Sequence, residues 1–212
     1  DCTTRPLSAL AAAPPAGRAQ IDRCSDDVRV PLPVCDLVAH EGAAADLNGK
    51  PITGAVLAGF MRQYSDTVNM VNAPYLAKER GMEVREIRNE KEGYYSTLLR
   101  VTVETEQGNR SVAGTLFGSE APRLVNIFGI GIEADLTGHM LYIVNEDAPG
   151  FIGALGGALG QHGINIASFQ LGREKPGGDA ISLVNIDNEA SADVLKELDT
   201  LEQVVQIKQL KF

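Results

Sequence analysis

The sequence predicts an α+β fold in which a small α/β domain with an antiparallel sheet precedes a βαββαβ unit of the ferredoxin-like type. Three observations lead to this prediction. The 212 residues are 44% hydrophobic and 22% charged, an ordinary globular composition for one or two domains. Between about residues 42 and 138, two helical patterns precede several short apolar runs. Residues 139–212 then alternate strand-length apolar runs with two further helical patterns.

Residues 1–35 stand apart because they carry no sustained period of 2 or 3.6. An alanine run is followed by Pro14 and Pro15, and Pro31 and Pro33 come later. A segment of this composition buries too little apolar surface to order itself, so we expect it to be disordered or misjoined. The chain does not begin with Met, and we interpret it as a fragment.

Residues 36–138 form the first predicted domain, which opens with two helices. Residues 50–63 carry apolar side chains at the spacing of an amphipathic helix, namely Ile52, Val56, Leu57 and Phe60. Residues 71–80 predict a second, short helix that tolerates Pro74 in its first turn and stops at Gly81.

Apolar runs of strand length follow these helices and indicate a meandering antiparallel sheet. The runs cover residues 98–104, 111–118, 123–128 and 131–136. Gln107-Gly108-Asn109 is the predicted turn between the first two of them.

Residues 139–212 form the second predicted domain, and here the hydrophobic period and the turn residues agree. The strands are predicted at residues 139–145, 164–173, 179–187 and 204–212. The first helix covers residues 149–162 and stops at Gly163, and the second carries Val194, Leu195 and Leu198. The resulting order, βαββαβ, places both helices on one face of a four-stranded antiparallel sheet.

The composition excludes several classes of function. A net charge of −9 argues against a nucleic-acid partner, and no apolar run approaches the roughly 20 residues of a membrane helix. The cysteines at positions 2, 24 and 35 have no CxxC spacing, so we expect no metal site and a reducing, cytoplasmic setting. GxSxG, HExxH and phosphate-loop motifs are missing, and the three histidines are scattered, so we expect no catalytic residues.

The segment that predicts a binding site is the polar loop between the first strand and the first helix of the second domain. Gly150 leaves room for a ligand at unpaired helix N–H groups, which attract a carboxylate, and Asp147 offers a charge for an ammonium group. The amides of Asn145 and Asn165 add donors and acceptors. These are the parts of an amino-acid site, although Asp147 as a simple N-cap explains the same local pattern.

Two groups of motifs resemble known families. The run LYIVNEDAPG at residues 141–150, with GINI at residues 163–166, resembles an ACT domain, a regulatory module of amino-acid metabolism. Upstream, GKPIT at residues 49–53, VNAPYLAKERG at residues 71–81 and SVAGTLFG at residues 111–118 resemble the intervening domain of long-form D-3-phosphoglycerate dehydrogenase.

The resemblance implies a function that the residues alone do not. In that family two ACT domains pair edge to edge and L-serine, the feedback effector, bridges the pair, which carries over to Asn145, Asp147, Gly150 and Asn165. It also implies a second, anion-binding site at Arg123. The catalytic and NAD-binding part of the family has no counterpart here, so the chain is expected to hold no cofactor and to be inactive alone.

Two alternatives remain open from the sequence. One is the small subunit of an iron–sulfur L-serine dehydratase, which resembles this chain in length and domain order but has a serine-rich, histidine-containing motif that residues 1–40 lack. The other is a free-standing ACT protein that senses an amino acid and acts on a partner enzyme.

Overall fold

The computed structural model describes residues 38–42, 48–62, 65, 67–89, 94–105, 108–118 and 120–212. The prediction for residues 1–35 lies outside these ranges. Two compact units are present, and they divide between Ala121 and Pro122. Both combine helices with a sheet, and the expected α+β fold is therefore confirmed.

The first unit contains two helices and four strands within its described residues. In chain order these are β1 (Val38–Gly42), α1 (Gly49–Met61), α2 (Ala73–Glu79), β2 (Glu86–Asn89), β3 (Thr97–Thr105) and β4 (Gly108–Phe117). The strands lie in the order β2-β1-β3-β4. β3 is antiparallel to both neighbours, whereas β1 and β2 run parallel, a pairing that the sequence pattern did not indicate.

The helices of this unit follow their local sequence signals. Asn48 caps α1 through its side chain, which accepts a hydrogen bond from the backbone N–H of Lys50 at 3.3 Å. α1 passes so close to the following loop that a Cβ on Gly54 would lie 2.5 Å from the carbonyl oxygen of Met70. Gly81 follows α2 with a φ of 76°, the left-handed conformation expected of a helix stop.

The turn predicted at residues 107–109 is wrong in its extent. Gly108 already pairs with Thr105, so β4 begins at Gly108 rather than at Ser111. Gly108 has a φ of 111°, which is why glycine stands at this position. Gln107, the first residue of the predicted turn, lies outside the described residues.

The second unit contains six strands and two helices. They are β5 (Ala121–Ile127), β6 (Ile130–Asp135), β7 (His139–Glu146), α3 (Phe151–Gln161), β8 (Ile166–Arg173), β9 (Asp179–Ile186), α4 (Ala192–Asp199) and β10 (Val204–Lys211). Strands β7 to β10 form a sheet in the order β10-β7-β9-β8 with antiparallel pairing throughout. This is the predicted βαββαβ arrangement, with β8 and β10 at its edges.

One apolar core joins α3 and α4 to a single face of this sheet. Its fully buried members include Leu141 and Ile143 of β7, Val184 of β9, Leu155 of α3 and Leu198 of α4. Alternate strand residues point to the same face, which explains why Leu141 and Ile143 enter one core. The position of the helices fixes where the loop between β7 and α3 lies.

The β5–β6 hairpin belongs to the same compact unit and packs on the opposite face of the sheet. The side-chain amide of Asn185 donates to the carbonyl oxygen of Asp135 at 3.5 Å. A Cβ on Gly172 would lie 2.7 Å from the Cγ2 of Ile130 and 2.9 Å from the carbonyl oxygen of Gly131. Glycine at position 172 therefore lets β6 approach β8 closely. The domain boundary predicted between residues 138 and 139 stays a prediction.

No helix in the described part of the chain has the length and apolar character needed to cross a membrane.

Candidate functional site

The candidate site is the loop between β7 and α3, and backbone hydrogen bonds connect the start of this loop to two other segments of the chain. The N–H of Glu146 donates to the carbonyl oxygen of Gln203 at 2.8 Å, and that of Asp147 donates to the carbonyl oxygen of Gly178 at 2.9 Å. Residues 148–150 are exposed. The loop is thus held at its base and open to solvent beyond Asp147.

Helix α3 starts later than the sequence predicted, because Gly150 interrupts it. Gly150 is the N-cap residue with a φ of 98°, and the first helical residue is Phe151 rather than Pro149. The predicted helix start at residue 149 is therefore wrong. Gly150 has no side chain to cap α3, and no acidic residue lies in the first turn of this helix, so neither the cap residue nor the first turn supplies a side chain for its first N–H groups.

Asp147 is engaged by two donors and does not cap the helix. Its Oδ2 accepts a hydrogen bond from the Nη1 of Arg173 at 2.5 Å and another from the backbone N–H of Gly177 at 3.0 Å. The Gly177 hydrogen bond first, and the Arg173 guanidinium second, lower the pKa of the Asp147 carboxyl below its ordinary value. Asp147 is therefore ionised at neutral pH and held in one orientation.

Asn145 lies beneath this loop rather than on its surface. It is 1% exposed, its Oδ1 accepts a hydrogen bond from the Ser182 hydroxyl at 2.9 Å, and its Nδ2 donates to the carbonyl oxygen of Glu146 at 3.0 Å. The amide thus ties β7 to β9 just before the loop begins. Its contact with an effector stays a prediction.

Asn165 lies at the opposite end of the sheet from Asp147. Its Nδ2 donates to the Oδ2 of Asp187 at 2.9 Å, directly after β9, whereas Asp147 lies beside Gly178, directly before β9. β9 has eight residues, so its two ends are about 23 Å apart at the usual strand rise. A single chain therefore does not bring Asn165 to Asp147.

Arg123, the residue predicted for a second, anion-binding site, is paired within the β5–β6 hairpin. Its Nη1 lies 2.6 Å from the Oδ2 of Asp135, the residue opposite it in the strand register. This carboxylate offsets the guanidinium charge, which weakens the attraction for an anion. The second site stays a prediction.

Sequence reasoning missed three residues that shape the site: Arg173, Gly177 and Ser182. The sequence placed Arg173 at the end of an apolar strand and Gly177 in a Lys-Pro-Gly-Gly turn. It did not indicate that either residue contacts Asp147. The described residues contain no group of three or more His, Cys, Asp or Glu side chains able to hold a metal ion.

The comparisons with known proteins divide the chain in the same way as its motifs. Residues 37–128 match the family model described as the D-3-phosphoglycerate dehydrogenase intervening domain, and residues 139–203 match that of the ACT domain. The candidate site residues Asn145, Asp147, Gly150 and Asn165 all fall within the ACT match, and Arg123 falls within the other.

Curated relatives are similar to most of this chain. A D-3-phosphoglycerate dehydrogenase of Bacillus subtilis strain 168 is 37% identical over 178 residues, which cover 83% of this chain and 34% of that protein. One from Archaeoglobus fulgidus is 34% identical over 171 residues, covering 79% of this chain and 32% of that protein. The chain thus spans about a third of the length of these relatives.

Proposed function

We propose that this chain, which carries the intervening domain of the D-3-phosphoglycerate dehydrogenases and an ACT domain, senses an amino acid, with L-serine as the first candidate. The effector would bind between the ACT domains of two copies and act as a feedback signal. In this proposal the parent enzyme is a cytoplasmic, NAD-dependent oxidoreductase of serine biosynthesis. The relatives named above are dehydrogenases, which favours this proposal over a serine dehydratase subunit.

The observation that carries the proposal is the position of β8. This strand lies at the edge of the ACT sheet, begins beside Asn165 and ends at Arg173, which contacts Asp147. If β8 pairs with β8 of a second copy about a two-fold axis, the strands run antiparallel, and the start of one meets the end of the other. Asn165 of the second copy then lies beside Asp147, which one chain alone keeps far from it.

The exposed surface beside this edge supports the same pairing. Ile152 on α3 is 57% exposed and Leu171 on β8 is 36% exposed, high values for large apolar side chains. A Cβ on Gly153 or Gly157 of α3 would meet no atom within 4 Å, so packing inside the chain does not require these glycines. Small residues on an exposed helix face allow a second backbone to approach closely.

The chemistry of the loop suits a small zwitterion. The uncapped start of α3 offers N–H groups to a carboxylate. The Oδ1 of Asp147 can accept from an ammonium group while Oδ2 keeps its two donors. The amide of Asn165 from the second copy supplies a donor and an acceptor for a hydroxymethyl side chain.

Calorimetry of the full chain with L-serine and then with the other amino acids tests the proposal. Asp147→Ala and Asn165→Ala should each abolish binding, because every site in a symmetric dimer loses one residue. Mixing the two variants should restore about a quarter of the wild-type sites, since half of the randomly formed dimers contain both chains and each of these has one intact site. If the mixture binds no better than either variant alone, the site is not shared between copies.

A further inference from the structure

We infer that Arg173 is a positioning residue of the effector site. Its guanidinium orients the Asp147 carboxylate and links the loop between β7 and α3 to the edge strand β8. This inference rests on the proposed function for its link to the effector. The contact between the two side chains is an observation that stands without it.

The geometry around Asp147 leaves the carboxylate little freedom. Arg173 and the Gly177 N–H both bind Oδ2, and the backbone N–H of Asp147 is bound by Gly178. The Asp147 side chain is 18% exposed, whereas that of Arg173 is 48% exposed. The guanidinium therefore covers one side of the carboxylate, and Oδ1 is the oxygen left to meet an ammonium group.

Arg173 is also the charged side chain that faces Asp147. Strand β8 supplies Arg173, and the β8–β9 turn supplies the Gly177 N–H, so one cation and one dipole meet the carboxylate. The remaining charges of the turn and adjoining strand ends are those of Glu146, Glu174, Lys175 and Asp179. Because three of these four are acidic, they do not account for the lowered pKa of Asp147, which follows from the Gly177 hydrogen bond first and from Arg173 second.

The contact between Arg173 and Asp147 also links the effector site to the proposed dimer edge. Arg173 is the last residue of β8, the edge strand proposed to pair with a second copy. A ligand on Asp147 thus lies one side chain away from the proposed dimer edge. An effector that binds only where two β8 strands are paired would favour that pairing by mass action.

The test compares Arg173→Gln, Arg173→Lys and Lys175→Gln with the wild-type full chain. Lys175→Gln is the matched control, since it removes a cation from the same turn. Calorimetry from pH 2.5 to pH 8 gives the L-serine Kd, and carbon-detected NMR over the same range gives the pKa of Asp147 without ligand. Arg173→Gln should weaken L-serine binding about tenfold and raise the pKa of Asp147, so that binding is lost at a higher pH on acidification. Arg173→Lys keeps a positive charge and should show smaller changes in the Kd and in the Asp147 pKa.

The two measurements separate the possible failures. If the wild-type chain binds no amino acid, the proposed function fails and Arg173 has no effector to position, while the NMR titration still reports whether it holds Asp147. If the wild-type chain binds L-serine and Arg173→Gln changes neither the Kd nor the Asp147 pKa beyond the Lys175→Gln control, the inference about Arg173 is overturned.

Discussion

Replacing Gly157 of α3 by alanine should stabilise the isolated chain and weaken its association. Gly157 is exposed in the middle of a helix, and an added Cβ would meet no atom within 4 Å. Alanine in a helix interior is more stable than glycine by roughly 0.5 to 1 kcal/mol, because glycine loses more backbone freedom on folding. For a chain of this size that difference raises Tm by about 1 to 4 °C.

The opposite effect is expected at the surface between two copies. If the exposed glycines of α3 permit close approach of a second chain, a methyl group at position 157 separates the two backbones and raises the dimer Kd. Gly157→Leu enlarges that effect, while its own helix propensity remains favourable. The chain as a monomer should thus become more stable while the dimer becomes weaker.

Urea unfolding at a concentration where the chain is monomeric measures the first effect, and sedimentation velocity over a concentration series measures the second. Lys196, an exposed interior residue of α4, changed to glycine serves as the reverse control, since it should lose stability without altering association. A loss of stability in Gly157→Ala would show that the glycine is needed inside the chain. An unchanged dimer Kd in Gly157→Leu would show that this face of α3 lies outside the dimer contact.

Three further predictions follow from other contacts. Gly172→Ala should destabilise the second unit by about 1 to 3 kcal/mol in urea unfolding, because its Cβ would collide with Ile130 and the Gly131 carbonyl; an unchanged midpoint would contradict this packing. The pKa of Asp147 is lowered in the folded chain, so its stabilising contribution is present above about pH 4 and is lost as the pH falls through the folded pKa. In urea unfolding at a series of pH values, Asp147→Asn should reduce the dependence of the unfolding free energy on pH in this acidic range. The chain mixed with NAD and 3-phosphoglycerate should produce no NADH, and production above the blank would contradict the assignment to a regulatory region.

The sequence by itself predicted the helix ends, the turns and the order of helices and strands, because their signals lie in neighbouring residues. The helix stops at Gly81 and Gly163 have the positive φ values that the glycines indicated, and the turn before β9 has another at Gly177. The βαββαβ order also followed from the sequence, since a period of 2 or 3.6 and the turn residues lie within one element and its neighbours. The loop between β7 and α3 was identified in the same way.

Tertiary structure alone decided which residues meet. Arg173 and Asp147 are 26 positions apart, and their contact depends on the register of β8 on β9, which no local pattern encodes. The parallel pairing of β1 with β2 has the same origin. Asn145 carries the same polar signal as Asp147, yet Asn145 lies within β7, where the sheet buries it against Ser182, whereas Asp147 follows the end of that strand and meets the Gly177 N–H of the β8–β9 turn. The separation of Asn165 from Asp147 by the length of β9 is likewise a property of the fold. It is this separation that makes two copies of the chain necessary for the proposed site.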